Sequence, residues 1–212
     1  MYDMMMRLPL LSWVLFWAIL QSGGLVQFIN KHPLDFVSAT HVTSRLLTII
    51  FLLLMAVVVF MRTRPSVKAT GFESRITALG GTFLSYVIAL SPRRELSLVL
   101  EMTSTVLMLI GTFGAVIALC HLGRSFSIMA ETRKLVTSGP YRFVRHPLYL
   151  TEEIAIIGLF IQFASPWTAL ILALQIGCQL RRIDNEESVL TSQFSEYATY
   201  SQTTARLLPG IY

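Results

Sequence analysis

Long apolar segments separated by short polar connections make up most of this chain. Six such segments can be recognised, and they run over Leu10–Ile29, Leu46–Met61, Ile76–Leu90, Leu98–Leu122, Leu148–Ala164 and Trp167–Leu180. A helix needs about 20 predominantly apolar residues to cross the hydrocarbon core of a bilayer, and several of these segments are shorter. The pattern predicts an all-α polytopic integral membrane protein of about six transmembrane helices, or five if the last two segments form one tight hairpin.

The composition indicates that a bilayer is the main solvent. Of the 212 residues, 54% are apolar and 14% are charged, whereas about 25% are charged in ordinary soluble domains. The first segment follows Arg7, as the apolar part of a signal peptide follows a basic residue, but small residues are poorly placed for cleavage. We therefore interpret this segment as an uncleaved first span.

Basic residues are distributed unevenly among the connections. If the N-terminus is cytosolic, thirteen of the seventeen Lys and Arg residues fall on the cytosolic side, and those outside are Lys31, Arg45, Arg93 and Arg94. Cytosolic loops of membrane proteins carry the excess of Lys and Arg. The asymmetry predicts an even number of spans with both termini in the cytosol. The membrane would be the inner membrane of a bacterium or the endoplasmic reticulum of a eukaryote.

Two classes of partner are not expected from the sequence. The net charge of +5 follows from the loop asymmetry and suits anionic head groups, and no basic stripe with aromatic residues indicates nucleic acid. Cys120 and Cys178 lie in apolar segments without CxxC spacing, so neither a disulfide framework nor a zinc site is expected. We predict no nucleic-acid partner and no metal.

The chain is predicted to be one membrane domain, residues 1–212. Residues 1–97 supply packing helices, and residues 98–212 hold the chemistry, with a cofactor-binding loop at 123–149 and an amphipathic helix at 181–202. The turn at Ser138–Pro140 and the His146–Pro147 pair punctuate the loop. Because Pro favours the first helical position, we expect the next helix to begin at Pro147.

One motif is specific. Residues 135–149 read LVTSGPYRFVRHPLY, in which Gly-Pro-Tyr is followed, after four residues, by His-Pro-x-Tyr. This segment resembles the signature of the isoprenylcysteine carboxyl methyltransferase family, whose superfamily includes membrane phospholipid methyltransferases. The resemblance covers roughly Gly123 to Pro209. It extends to the family's C-terminal pattern, which is matched at Arg182, Glu186, Glu187, Leu190, Phe194, Tyr197, Tyr200, Arg206 and Pro209.

The resemblance implies an S-adenosylmethionine-dependent methyltransferase whose cofactor binds at the cytosolic ends of the last helices. It also implies a lipid-like or prenylated acceptor that arrives through the bilayer. The substrate-orienting arginine would be Arg182, with Arg181 as an alternative, and Arg145 is a second candidate for the catalytic site. The implied cofactor-binding residues are Leu135, Val136, Gly139, Tyr141, His146, Pro147, Tyr149, Glu186 and Glu187.

These residue types suit the cofactor and its reaction. Backbone groups around the turn can bond an adenine edge, tyrosines offer an aromatic face, and carboxylates can bind an ammonium group or ribose hydroxyls. A carboxylate acceptor is already ionised at neutral pH and needs only an arginine to hold it. An amine acceptor must lose a proton, so His146 or a glutamate would act as base. The sequence leaves both acceptors open.

Some of these residues also have purely structural interpretations. Arg182 and Glu186 have the i,i+4 spacing of an ordinary helix-surface ion pair, and Arg145 is equally suited to anchoring the following span. Tyr197 and Tyr200, with Phe194, are expected to pack against the membrane surface or the loop.

Glu152 and Glu153 stand at the head of a predicted span, where an unpaired carboxylate is costly. We therefore expect Glu152 to face the cytosolic site or a basic partner, for which Arg145 and Arg133 are candidates. Arg133 and Thr151 also depart from the family pattern, in which histidine and glycine are frequent at these positions.

Two other functions remain possible from the sequence. A membrane reductase that uses NADPH would share a related C-terminal architecture, and a non-catalytic membrane scaffold would need only the spans and the positive loops. Reductases of this kind are usually much longer, with more spans, and a scaffold leaves the paired motifs unexplained. The acceptor itself, a prenylated cysteine carboxylate or another hydrophobic molecule, is not determined.

Overall fold

The chain folds almost entirely as α-helices in a computed structural model, which describes residues 2–31, 33, 35–61, 67–68, 71–126, 131–132 and 134–209. Within these residues the helices are α1 (Tyr2–Lys31), α2 (Phe36–Met61), α3 (Phe72–Ala89), α4 (Leu98–Leu122), α5 (Pro147–Gln162), α6 (Pro166–Gln193) and α7 (Tyr197–Thr203). Two-residue strands β1 (Val67–Lys68) and β2 (Glu131–Thr132) pair antiparallel. A ladder this short shows no alternating pattern in the sequence and was not predicted.

Three helices are long and apolar enough to cross a membrane, over Leu8–Lys31, Phe36–Met61 and Leu98–Ser125. They present large apolar side chains outward, among them Ile19 and Phe60, each 70% exposed. The chain is therefore an integral membrane protein. Each of the six predicted apolar segments falls on its own helix, but α3 and α5 have only 18 and 16 residues. The count of six crossings stays a prediction.

Helices α4 and α5 pack at very close range. A Cβ atom on Gly111 would lie 2.4 Å from the backbone nitrogen of Ala155, and one on Gly158 would lie 2.7 Å from the carbonyl oxygen of Ser104. The Ser104 hydroxyl also donates to the Gly158 carbonyl at 2.8 Å. Small residues allow such close packing in membranes, where van der Waals contact and interhelical hydrogen bonds drive association. The contact fixes α5 on α4.

Helices α3 and α6 form a second close pair. A Cβ atom on Gly81 would lie 2.6 Å from Gln179 Oε1, which is the kind of approach that the Gly80–Gly81 pair permits. Asn185 donates to the hydroxyl of Thr77 at 3.3 Å farther along the same interface. Helices α1 and α2 pack on each other, and α2 packs on α4. The bundle therefore consists of a row α1–α2–α4–α5 and the pair α3–α6.

A tight turn joins α5 to α6. The Ser165 hydroxyl accepts from the Thr168 amide at 3.1 Å, and the Thr168 hydroxyl accepts from the Ser165 amide at 2.8 Å, which forms a reciprocal cap. Beyond the turn the helices diverge, because α5 packs mainly on α4 and α6 mainly on α3. Helix α6 continues without a break to Gln193, so the predicted separate helix 181–202 is the second half of α6 plus α7. The residues from Arg181 onward are more polar, so this part of α6 has different surroundings, but the helical backbone continues through it.

Candidate functional site

A cavity lies where α4 ends, α5 begins and the second half of α6 passes. It encloses about 630 Å³ of empty space, including the part that opens to solvent. We call it the polar cavity. Its wall consists of Leu122, Ser125, Phe126, Lys134, Leu135, Val136, Tyr141, Arg145, His146, Leu148, Tyr149, Glu186, Leu190, Tyr197 and Tyr200.

The segment before the Gly-Pro-Tyr turn offers backbone groups to the polar cavity. Leu135 and Val136 line it from a stretch with no regular secondary structure. In the described part of the chain, neither residue makes a backbone–backbone hydrogen bond. Because buried amides and carbonyls need partners, these groups are suited to bonding the edge of a bound ligand.

The turn itself positions Tyr141. Gly139 has a φ of +62°, and a Cβ atom there would lie 2.2 Å from the His121 ring, so a larger residue does not fit. The Tyr141 carbonyl accepts from the Tyr200 hydroxyl at 2.5 Å. Burial, and then the negative charge of Glu186, raises the pKa of the Tyr141 phenol above its ordinary 10.0. Tyr141 is therefore neutral at the cavity wall.

The end of the described chain holds the backbone on both sides of His146. The amides of Arg145 and His146 donate to the carbonyls of Ala205 and Arg206 at 2.8 and 3.2 Å, and the Arg145 side chain donates to two further carbonyls of this segment. Helix α5 begins at Pro147 with His146 as its N-cap, as the sequence predicts. His146 is 5% exposed and lines the polar cavity.

Glu187 lies at the centre of a charged cluster next to this cavity. Its Oε1 accepts from Arg145 Nε at 2.8 Å and lies 3.0 Å from His146 Nε2. Its Oε2 lies 3.2 Å from Arg206 Nε, and Arg206 also pairs with Asp184. Burial acts to raise the pKa of Glu187, but the hydrogen bonds and charges of His146 and Arg145 outweigh it and lower the pKa from 4.5 to about 2. Glu187 is therefore ionised.

Tyr149 connects the His-Pro-x-Tyr motif to α6. Its hydroxyl donates to Glu186 Oε2 at 2.6 Å, and its ring stacks on that of His146 with centroids 5.5 Å apart. The guanidinium carbon of Arg182 lies 4.7 Å from the Tyr149 ring centroid, a cation–π contact. Arg182 also donates to Thr82 Oγ1 of α3 at 3.3 Å. Arg182 thus lies beside the polar cavity and does not line it.

Glu152 and Glu153 meet the expectation only in part. Glu152 accepts from Gln179 at 3.3 Å and Glu153 accepts from Gln175 at 2.8 Å. Arg145, expected as a partner, binds Glu187 instead, because the C-terminal segment holds it there, and Arg133 lies outside the described residues. Glu152 lines a second cavity deeper in the bundle, so the expectation that it faces the cytosolic site is not met. Its charge does interact with that of Arg182, a basic neighbour.

The structure separates the predicted site residues into two groups. The first group lines the polar cavity and comprises Leu135, Val136, Tyr141, Arg145, His146, Tyr149 and Glu186. The second group supports the first from outside the wall and comprises Gly139, Pro147, Arg182 and Glu187. Direct contact between either group and a cofactor stays a prediction.

Several wall residues were missed. Tyr197 and Tyr200 were expected to pack against the membrane surface or the loop. Tyr200 does contact the loop, at the Tyr141 carbonyl, and both tyrosines also line the polar cavity, which was not expected. Their place in the family's C-terminal pattern was the available signal. Lys134 and Phe126 carry no local signal, because only the path of the α4–α5 connection brings them to the wall. Thr151 lies against Gly114 of α4 and is not in the wall.

The wall matches the chemical groups of S-adenosylmethionine. Apolar side chains with the backbone groups of Leu135 and Val136 suit adenine, and the Glu186 carboxylate suits an ammonium group or ribose hydroxyls. Lys134 and Arg145 provide positive charge for a carboxylate. Among the described residues, no three His, Cys, Asp or Glu side chains are grouped as metal ligands are.

Comparison with known proteins identifies the C-terminal half. Residues 104–192 match the isoprenylcysteine carboxyl methyltransferase family. The cobalt-zinc-cadmium resistance protein CzcN of Cupriavidus metallidurans is 32% identical over 113 residues, which are 51% of this chain and 51% of that protein. The nickel-cobalt-cadmium resistance protein NccN of Alcaligenes xylosoxydans xylosoxydans is also 32% identical over 113 residues, 51% of this chain and 52% of that protein.

The chain spans about half the length of these curated relatives. The family match begins in α4 and ends in α6, so it contains both motifs that build the polar cavity. The resemblance seen in the sequence is thereby confirmed over residues 104–192, which match the isoprenylcysteine carboxyl methyltransferase family.

Proposed function

We propose that this protein is an S-adenosylmethionine-dependent membrane methyltransferase with an apolar acceptor that arrives through the bilayer. The observation that carries the proposal is the polar cavity, where the Gly-Pro-Tyr turn, the His-Pro-x-Tyr motif and Glu186 of α6 meet. Family membership of the domain supports methyl transfer. The apolar acceptor is favoured because the cavity lies at one end of a bundle with lipid-facing helices.

The residues of the wall would bind and orient the donor. When bound, the cofactor supplies a methyl group on a positively charged sulfur. Glu186, held by the Tyr149 hydroxyl at 2.6 Å, would bind the ammonium group or the ribose hydroxyls. The neutral Tyr141 and the backbone groups of Leu135 and Val136 would bind adenine. Arg145 and Lys134 would bind the carboxylate.

Glu187 and Arg206 would act one layer behind the wall. Glu187 holds Arg145 and His146 through hydrogen bonds of 2.8 and 3.0 Å, so both side chains are fixed before a ligand arrives. Methyl transfer is an in-line displacement, and its rate depends mainly on alignment and on exclusion of water. A rigid, largely buried wall serves both purposes.

The orientation in the membrane follows from charge. Lys134, Arg145 and Arg206 lie at the end of the bundle that holds the polar cavity, whereas Arg93 pairs with Glu101 at the start of α4, at the opposite end. With the excess of positive charge in the cytosol, the cavity and both termini would be cytosolic. Helices α1 to α6 would then make six crossings.

Binding of S-adenosylhomocysteine to the detergent-purified protein tests the proposal. At a concentration about 100 times Kd, a ligand stabilises the folded state by about 2.7 kcal/mol. For a chain of this length, that is an increase of roughly 5–10 °C in the midpoint of thermal unfolding. We expect this increase in the wild type and its loss in Glu186→Gln.

Glu73→Gln is the matched control, because Glu73 also pairs across helices but is 57% exposed and lies outside the wall. It should keep the full shift. NADPH serves as the second ligand. A shift with NADPH and none with S-adenosylhomocysteine would replace the methyltransferase by a reductase, and no shift with either ligand would favour a scaffold.

A further inference from the structure

A second cavity lies in the interior of the bundle between α1, α2, α3, α4 and α5. It encloses about 1010 Å³ of empty space, including the part that opens outward. We call it the apolar cavity. Its wall is mainly apolar, with Trp17, Phe51, Leu52, Met55, Met108 and Ile156 among the residues that form it. An apolar molecule suits this space.

Glu152 is the only residue with a formal charge among the described residues that line the apolar cavity. The amide of Gln179, itself 2% exposed, donates to Glu152 Oε2 at 3.3 Å and fixes the side chain. The Gln179 amide is confined in turn by Gly81 of α3, since a Cβ atom there would lie 2.6 Å from Gln179 Oε1. A carboxylate in an apolar wall is costly, and the positive charge of Arg182, behind the wall, offsets part of that cost. Its defined position indicates a function.

The two cavities meet at α5. Tyr149 lines the polar cavity and Glu152 lines the apolar cavity. Glu152 is three positions after Tyr149, a rise of about 4.5 Å along the helix axis. Arg182 lies against the Tyr149 ring with its guanidinium carbon 4.7 Å from the centroid. It does not line the apolar cavity. The charged group presented to an occupant is therefore an acceptor of hydrogen bonds, a carboxylate.

We infer that the apolar cavity binds a methyl acceptor with an apolar body and an N–H, O–H or S–H group that faces Glu152. This inference rests on the proposed methyltransferase function and names its acceptor class. A carboxylate acceptor, as in a prenylated cysteine, would place a second negative charge against Glu152, and like charges in contact cost several kcal/mol. A hydrogen-bond donor makes a favourable contact at the same place.

The reaction balances with groups already named. The nucleophilic atom of the acceptor forms a bond to the methyl carbon while the bond from that carbon to sulfur breaks, and the sulfur keeps the electron pair. S-adenosylhomocysteine leaves as the neutral sulfide. The proton lost by the N–H, O–H or S–H group passes to the Glu152 carboxylate, which acts as general base.

Ligand binding without the cofactor tests the inference, because Trp17 in the wall reports occupancy through its fluorescence. The probes share one dodecyl chain and differ in the head: dodecan-1-ol, dodecane-1-thiol, dodecylamine and dodecanoate. The protein is held in phospholipid nanodiscs, and Trp17→Phe shows that the signal comes from this cavity. We expect at least one donor-headed probe to bind with a Kd about tenfold or more below that of dodecanoate.

Glu152→Gln should remove most of this preference, and Glu153→Gln is the matched control. Glu153 is the neighbouring carboxylate, is held by Gln175 at 2.8 Å and does not line the cavity. Glu152→Asp keeps the charge and should keep the preference, so it serves if the glutamine variant does not fold. Tighter binding of dodecanoate by the wild type, or an unchanged preference in Glu152→Gln, would overturn the inference.

S-adenosylhomocysteine binding, measured separately, distinguishes the two proposals. A thermal shift with S-adenosylhomocysteine together with a preference for dodecanoate would leave the methyltransferase intact and refute this acceptor class. A preference for donor-headed probes that Glu152→Gln removes, without any cofactor shift, would refute the methyltransferase and the role of the bound molecule as methyl acceptor, while the preference of the cavity for a hydrogen-bond donor at Glu152 would stand.

Discussion

The polar cavity and the apolar cavity differ in which part of the chain builds them. Apart from residues 122–126 at the end of α4 and the start of its connection, the polar cavity is made from residues 134–200, and its wall contains charged groups with defined partners. The apolar cavity draws on five helices from Trp17 to Leu159 and contains one formal charge among the described residues. Helices α4 and α5 contribute described residues to both.

This difference shows how the sequence encodes the binding of a polar ligand and of an apolar ligand. A polar ligand with many hydrogen-bonding groups requires particular residue types at fixed spacing, and such requirements are visible as motifs. An apolar ligand requires volume and shape, which many combinations of apolar residues provide. A motif therefore locates the first site, while the second is found only from the packing of helices.

The largest effect is expected from displacing α5, which lines both cavities, from its position against α4. Gly111→Leu places a side chain where a Cβ atom would already lie 2.4 Å from backbone of α5. We expect destabilisation at or above the upper end of the about 1–3 kcal/mol that overpacking costs. Binding of S-adenosylhomocysteine and of dodecan-1-ol should both be lost.

Gly177→Leu on α6 is the control, since a Cβ atom there meets nothing within 4 Å. It should keep both binding activities. If Gly111→Leu retained them, the close contact of α4 with α5 would not be what aligns the two cavities.

A second test separates the cavities. Ser85 of α3 is partly buried and lines the apolar cavity only, so Ser85→Trp should fill space that a ligand needs. We expect dodecan-1-ol binding to weaken at least about tenfold through this clash. The thermal shift with S-adenosylhomocysteine should be unchanged. Thr103→Trp on the exposed side of α4 is the control, and equal effects of the two variants would mean that the probe binds elsewhere.

The smallest expected effect concerns the layer behind the polar cavity. Glu187→Gln keeps the shape of the side chain but removes the charge that binds Arg145 and His146. We expect a loss of about 2 kcal/mol in stability near neutral pH, the usual value of a hydrogen bond to a charged group. Dodecan-1-ol binding should not change, because Glu187 is remote from the apolar cavity wall.

The pH dependence of this variant has a defined sign. The pKa of Glu187 is lowered from 4.5 to about 2 in the folded protein, so its contribution to stability is fully present above pH 4.5 and is lost as the pH falls towards 2. Thermal unfolding between pH 7 and pH 3 should therefore show the wild type losing its advantage over Glu187→Gln at the acid end. A constant difference over this range would show that the charge of Glu187 does not stabilise the fold.

The sequence predicted the helices and the polar cavity with different success. Helix α5 begins at Pro147 as expected, because proline fixes φ and suits the first helical position. The expected break near Arg181 is absent. A change in hydropathy indicates a change in the surroundings of the side chains and does not require the helical backbone to end. At the polar cavity, seven predicted residues line the wall. The sequence did not predict that Glu186 lies in the wall and Glu187 behind it, because this difference depends on how α6 is rotated about its axis.

By itself, the sequence determined that the protein is helical and membrane-embedded, and it singled out the segment from Leu135 to Tyr149 and the Glu186–Glu187 pair as the predicted site. Those properties follow from hydropathy and from local motifs, which act over one turn or one helix. Only the tertiary structure decided that Arg145 binds Glu187, that Tyr197 and Tyr200 close the polar cavity, and that Glu152 faces an apolar space. Each of these depends on contacts between residues far apart in the chain. Such contacts are set by close helix packing, as at Gly81, Gly111 and Gly158. The residues that this packing brings together carry no local sequence pattern that would predict it.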